Sequence, residues 1–324
     1  MPKLTLPEPT FQTAEGYAPP EHDPGPFASI AAGEVGGLTH FGARIETLPP
    51  GSCSSMRHWH SEEDEFALIL DGAPTLVEDT GETLLAPGAA MGFAHGRANG
   101  HCIANRSEAP ATFLILGNRW PGDVCAYSGQ DRISAWRDGE ARVTRRDGTP
   151  LDRPDASVPA IDDPVPDVPS ALIDVEALPM RSGASYPPPY DGWMAKRSWR
   201  RLGASAGLTR LGVNLVTILP GGLSSLRHWH TAIDEFLLMR SGALVLVENG
   251  GESPMHPGDC AAFPAGAANG HHLRNDGDEP ASFLVASDIV ERDTCFYSDV
   301  DLVAEQNGVR DWYALRDGTI VKEL

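Results

Sequence analysis

From Leu38 onward, apolar and polar residues alternate in short runs separated by turn-forming residues. LTHFGARIETLPPG (38–51) alternates with a period of two up to a Pro-Gly turn, which predicts a strand with one face in a core. FALILDG (66–72) predicts a strand carrying on from Glu65, and PTLVEDTGE (74–82) a hairpin. APGAAMGFAHG (86–96) reads as a turn and a strand, ATFLILGNR (111–119) as a buried strand. Short strands spaced by turn chemistry point to an antiparallel barrel or sandwich rather than a helical fold. Upstream, residues 1 to about 33 are rich in proline and polar side chains and predict an irregular arm.

The pattern then stops and starts again. RPDASVPAIDDPVPDVPS (153–170) carries too much proline for regular structure and reads as a semi-rigid spacer. Beyond it LTRLGVNLVTILPGG repeats LTHFGARIETLPPGS, and FPAGAANGH repeats FAHGRANGH. The differences 228 − 58, 235 − 65 and 271 − 101 all equal 170. Asp-x-Cys-x-Tyr-Ser at 123–128 recurs at 293–298 with the same offset, as does Asp147-Gly148-Thr149 at 317–319. A constant offset over roughly 110 residues means two copies of one domain. The expected layout is a first barrel over 1–150, a linker over 151–170 and a second barrel over 171–324.

Composition narrows the function. Lys+Arg total 25 against 45 Asp+Glu, a net charge of −20, which argues against phosphate backbones and anionic lipid as partners. No stretch approaches the roughly 20 apolar residues of a membrane-spanning helix. The five cysteines include no CxxC pair, which suits reduced thiols and a cytoplasmic location.

The chemistry lies in two short stretches, Arg57-His58-Trp59-His60 with Glu65, and Arg227-His228-Trp229-His230 with Glu235. On a strand, residues two apart share a face, so His58 and His60 point one way and Trp59 the other. His101 and His271 follow at equal distances. Three imidazoles and a carboxylate converging inside a barrel would hold one divalent metal with positions left for water or substrate. A lone histidine would read better as a core residue with satisfied ring nitrogens, but four ligand-type residues occurring twice over outweigh that reading. Asp64 and Asp234 face away from the ligand side; a solvated turn is their expected place, with support of a ligand imidazole as the alternative.

Gly51-x5-Arg57-His58-x-His60-x4-Glu65-x6-Gly72, followed by Gly88-x5-Ala94-x-Gly96-x4-His101-x3-Asn105, resembles the paired motifs of the cupin superfamily. The second half repeats them as Gly221-x6-His228-x-His230-x4-Glu235-x6-Gly242 and Gly258-x5-Pro264-x-Gly266-x4-His271-x3-Asn275. The chain thus resembles a bicupin, which implies an all-β fold of two double-stranded β-helix (jelly-roll) barrels in tandem. Carried over residue by residue, the resemblance implies metal ligands His58, His60, Glu65 and His101 in one barrel and His228, His230, Glu235 and His271 in the other. The metal would be Fe, Mn, Ni or Zn, one per barrel. There are departures: Ala94 replaces the usual Pro, and Asn99-Gly100 and Asn269-Gly270 set the last histidine two residues further on, which implies a larger turn at the site mouth.

Residues that differ between the copies bear on substrate. His40 becomes Arg210, Arg44 becomes Asn214, Glu46 becomes Val216, Arg97 becomes Ala267 and Cys102 becomes His272. Arg44 and Glu46 share a strand face, and Arg44 or Arg97 is a candidate contact for the anionic oxygen of a small acid. For Arg97 the competing reading is a solvated turn residue. His95, His256 and His272 are either acid–base groups or exposed. Cys125 and Cys295 are read as buried thiols packing the segment that follows the last barrel strand.

The function expected on these grounds is that of a metal-dependent dioxygenase, other oxidoreductase or decarboxylase acting on a small organic acid. The alternative is a non-catalytic bicupin that stores or senses a metal or small ligand. Further association into a homo-oligomer is left open.

Overall fold

A computed structural model describes residues 2–13, 18–19, 22–137, 140–154 and 156–324, without the side chains of 136, 137, 140 and 141. The fold is almost wholly β, with two one-turn helices among the described residues, Ala32–Val35 and Leu202–Ser205. Each repeat folds into two facing antiparallel sheets. In the first, one sheet runs Phe27–Ile30, Phe41–Leu48, Ala111–Asn118, Glu65–Asp71, Ala90–Phe93, with Thr10–Gln12 outermost. The other runs Ile133–Arg137, Val124–Tyr127, His58–His60, His101–Ala104, Thr75–Glu78, Gly81–Leu84, with Glu140–Thr144 at its edge. The second repeat reproduces both sheets, Leu211–Ile218, Ala281–Asp288, Glu235–Ser241 and Cys260–Phe263 facing His228–His230 and His271–Arg274. The two-barrel, all-β architecture expected from the sequence is therefore what the chain adopts.

Alternation decides which side chains go where. Along Phe41–Leu48, Phe41, Ala43 and Ile45 turn outward onto the neighbouring barrel, while Leu48 turns into its own barrel's core. A single apolar cluster spans both repeats, joining Phe41, Phe66 and Leu114 to Leu211, Phe236 and Leu284. This shared apolar cluster joins the halves, which pack as a pseudo-twofold pair.

The arm is more ordered than its composition predicts. Phe27–Ile30 pairs antiparallel with Phe41–Leu48, and Thr10–Gln12 pairs with Phe27–Ile30. Lys3 bridges to Ala261 in the second barrel, with Leu4 N–H donating to Cys260 O at 2.8 Å and Ala262 N–H to Pro2 O at 3.0 Å. An exchange in the other direction occurs after the linker: Leu172–Ile173 pairs with Ala90–Met91 of the first barrel. The proline-rich spacer lies along the first barrel, with Ile161 N–H donating to Gly129 O and Arg146 gripping the Asp163 carboxylate at 2.7 and 2.8 Å.

The Asp64 and Asp234 carboxylates sit in this interface and not in solvated turns. Both residues are 0% exposed. Asp64 accepts hydrogen bonds from Thr209 and Arg210 N–H across the interface, at 2.7 and 2.8 Å, and from His95 N–H and Nδ1 within its own barrel. Asp234 accepts from Thr39 and His40 N–H across the same interface, at 2.6 and 2.9 Å, and from Ala265 N–H. Burial of a carboxylate is tolerated because every oxygen meets N–H donors. His95 is thereby a partner of Asp64, and His256 is exposed.

Candidate metal centres

Strand register builds each site. His58 lies opposite His101 on adjacent strands, as His228 lies opposite His271. Glu65 and Glu235 begin a strand of the facing sheet, where bending after the His-x-His strand points the carboxylate across the barrel. His101 Nε2 lies 3.0 Å from Glu65 Oε2, with His58 Nε2 at 3.9 Å and His60 Nε2 at 3.8 Å from the same oxygen. In the second barrel the corresponding distances are 3.0 Å for His271 and 3.8 Å for His228. His58, Glu65 and His101, like His228, Glu235 and His271, place one donor atom each within 4.8 Å of one another.

The far side of each His-x-His ring is already committed. His60 Nδ1 meets Asp123 Oδ2 at 2.6 Å, and His230 Nδ1 meets Asp293 Oδ2 at 2.5 Å. His58 Nδ1 reaches Met56 O at 2.9 Å, and His228 Nδ1 reaches Leu226 O at 2.9 Å. An Nδ1–H that donates to oxygen leaves the Nε2 lone pair facing inward, which is the tautomer a metal needs. His101 and His271 are held instead by stacking on Phe93 and Phe263, with ring centroids 3.5 Å apart in both. Imidazole and carboxylate donors, with the His-x-His tautomers fixed by their Nδ1 hydrogen bonds, fit a divalent first-row metal.

Burial and neighbouring charges set the protonation of each donor. Burial lowers His58 to a pKa of about 4 and His228 to about 3. Burial also opposes charge on His60, but Glu65 and Asp123 override it and raise that pKa to about 9. His230 is likewise held well above its ordinary value, against burial, by Cys295, Asp293 and Glu235. Glu65 and Glu235 stay well below the usual carboxylate range despite burial, because three imidazoles face each of them.

Sequence reasoning missed two partners. Asp123 and Asp293 sit in the repeated Asp-x-Cys-x-Tyr-Ser segment, and that recurrence is the signal that marks them. The thiols do more than pack: Cys125 pairs in register with His60 and Cys295 with His230, within 4.8 Å of the His-x-His nitrogens. Cys295 also packs against Leu302 and Tyr313 of the following segment, as expected. Burial raises the Cys125 thiol far above its ordinary pKa, so it faces the site as a neutral group. Ser128 and Ser298 close the motif, and a Cβ at Gly100 or Gly270 would lie 1.9 Å from their hydroxyl oxygens. The extra Asn-Gly is therefore a close backbone approach, with Asn99 Nδ2 tied to Glu78 at 2.8 Å and Asn269 Nδ2 to Glu248 at 2.7 Å.

The remaining candidates are placed as follows. Arg44 shares the face of Glu46 but lies at the rim, 40% exposed, paired with Glu34 at 3.2 Å, and lines none of the cavities described here. Arg97 lines a small recess with His60, Glu65 and His101. Glu46 is the inward-turned member, and burial raises its pKa to about 7 even though Arg44 pulls it down. His40 and Arg210 are interface residues, His40 bonded to Asp288 and Arg210 to Glu62 with its guanidinium over Trp120. His272 lines the second site and hydrogen-bonds Ser225 O at 3.1 Å.

The cupin domain model matches residues 44–117 and again 214–287, segments offset by the same 170 residues. The chain belongs to the cupin superfamily and is a bicupin. Among solved structures, a sugar phosphate isomerase of the cupin superfamily from Silicibacter pomeroyi is 46% identical over 45% of this chain and 94% of its own, with a TM-score of 0.45. A provisionally named glyoxylate-induced protein from Pseudomonas aeruginosa is 14% identical, covering 89% of this bicupin and 84% of its own chain at a TM-score of 0.51. Oxalate decarboxylase from Bacillus subtilis is 16% identical, over 88% of this chain and 78% of its own, with a TM-score of 0.48. No curated protein matches. No described helix is long and apolar enough to cross a membrane.

Proposed function

We propose that this bicupin binds one divalent transition metal in each barrel, through His58, His60, Glu65 and His101 and through His228, His230, Glu235 and His271, and that it is a metal-dependent oxidoreductase or decarboxylase of small organic acids. The observation that carries the reading is the inward-facing Nε2 donors gathered on one carboxylate, in duplicate, each beside a cavity. When bound, the metal would supply Lewis acidity and, if redox-active, electron transfer. The protein's own contribution is positional. Asp123 and Asp293 hold the Nδ1 protons of His60 and His230, Phe93 and Phe263 fix the last imidazoles, and apolar walls such as Leu237, Leu246 and Phe283 line the second site.

The test is elemental analysis of protein purified without added metal, followed by O2 uptake and CO2 release with a panel of small carboxylic acids and sugar phosphates. About two equivalents of metal with turnover of an acid is the expected result. Full metal with no turnover of any compound would leave a binding protein, and turnover of a sugar phosphate without gas exchange would replace the reading with an isomerase.

A further inference from the structure

The second barrel's metal donors open onto a cavity of about 310 Å³ that also contains Arg197. Arg197 begins the strand Arg197–Arg201, and its backbone is pinned by N–H donation to Met194 O at 3.1 Å and acceptance from Gly183 N–H at 3.2 Å. Its guanidinium carbon stands 4.7 Å from the Trp199 ring centroid, which holds the planar head in place. The Nε is buried and has no hydrogen-bond partner among the described residues. The groups that act on the head are the phenols of Tyr186, Tyr313 and Tyr297, and burial lowers the guanidinium pKa despite them.

Of the acids that line the same cavity, Asp311 is exposed and the other three are engaged elsewhere. Glu305 accepts from Thr294 Oγ1 at 2.9 Å, Asp293 holds His230, and Glu235 belongs to the metal donors. A desolvated guanidinium with an orphan donor is costly, and the cost is offset when a carboxylate binds it through two parallel hydrogen bonds. Beyond it the walls are apolar, including Val216, Leu237, Phe283 and Val285. The position 170 residues earlier is Phe27, so the first barrel lacks this group.

We propose that Arg197 forms a carboxylate-binding subsite, which makes the second barrel the one that takes an organic anion with an apolar body, its charged end on Arg197 and the rest directed toward the metal donors. The inference rests on the reading of the second barrel as a substrate site. It also moves the anion contact away from Arg44 and Arg97, the candidates of the first barrel.

Calorimetric binding on the full chain tests it, with acetate, butyrate and benzoate measured against acetamide, butyramide and benzamide, in metal-loaded and chelator-treated protein. At least one carboxylate should bind at least tenfold more tightly than its amide. Arg197→Met should abolish that preference while leaving amide affinity and metal content unchanged, Arg197→Lys should retain part of it, and Phe27→Met should change nothing. Equal binding of every acid and its amide by the wild-type chain, or an undiminished preference in Arg197→Met, would overturn the proposal. Should Arg197→Met fail to fold, the wild-type preference and its partial loss in Arg197→Lys still decide the matter. A preference lost on Arg197 substitution in a chain that holds no metal would uphold the subsite and remove the metal-enzyme reading. Full metal without any carboxylate preference would do the reverse.

Discussion

The two barrels carry the same four donors in the same register, with the same aspartates behind the same imidazoles, yet they differ in what surrounds the donors. In the first, His58 and His60 face a wide cleft of about 1300 Å³ bordered by Met56, Trp120 and Tyr127, and a second carboxylate, Glu46, is turned inward. In the second, the space is about 310 Å³, Val216 replaces Glu46, and Arg197 replaces Phe27. The donors are set by strand register, which duplication preserved. The lining is set by side chains that point into empty space and can change without disturbing the ladders. One barrel therefore presents an inward carboxyl and the other an inward guanidinium around equivalent sets of candidate donors.

Removing ligands should give the largest effect. His101→Ala and His271→Ala should each lower bound metal from about two equivalents to one, read by elemental analysis, because each set of donors is complete within its own barrel. Loss of both ions from either substitution would show that the sites are not separate. Next comes the interface. Asp64→Ala and Asp234→Ala each strand buried N–H donors from the opposite barrel, at a cost of about 3–5 kcal/mol in denaturant unfolding. Similar values for the pair are expected, and a large inequality would break the pseudo-twofold description.

Asp123→Asn and Asp293→Asn leave the shape of the site but weaken control of the imidazole tautomer. Each should reduce metal affinity at its own site by roughly 10–100-fold in competition with a chelator. The last effect sharpens the contrast most directly. Burial raises Glu46 from 4.5 to about 7, so the folded chain binds this proton more tightly than the unfolded one. Its contribution to stability is complete below pH 4.5 and is lost as pH rises through 7. Glu46→Val, which copies the second barrel, should stabilise the metal-free protein by about 3 kcal/mol at pH 8 and leave it little changed at pH 4. A pH-independent gain would mean packing, not charge, is responsible.

The repeat, the strands and the shared face of each His-x-His pair were legible because they depend on local rules, alternation and turn chemistry, whereas Glu65, His101, Glu235 and His271 join them through the resemblance to the cupin motifs. Asp64 was not, since its burial depends on N–H groups 145 and 146 residues away in another barrel. Asp123 lay in a segment already marked as repeated, but nothing local says that it would return to His60 63 positions away. Arg197 gave no signal, because its isolation from carboxylates is a property of the folded cavity. The arm's prolines predict irregular structure, whereas edge pairing orders it from outside.

That edge pairing has a consequence for dividing the chain. Residues 2–4 complete the border of the second barrel, and 172–173 complete that of the first. Cutting within the spacer would give fragments that each carry a missing piece of the other and expose a bare strand edge. Expressed alone they should self-associate, and mixed they should reassemble, each fragment acting as the other's template.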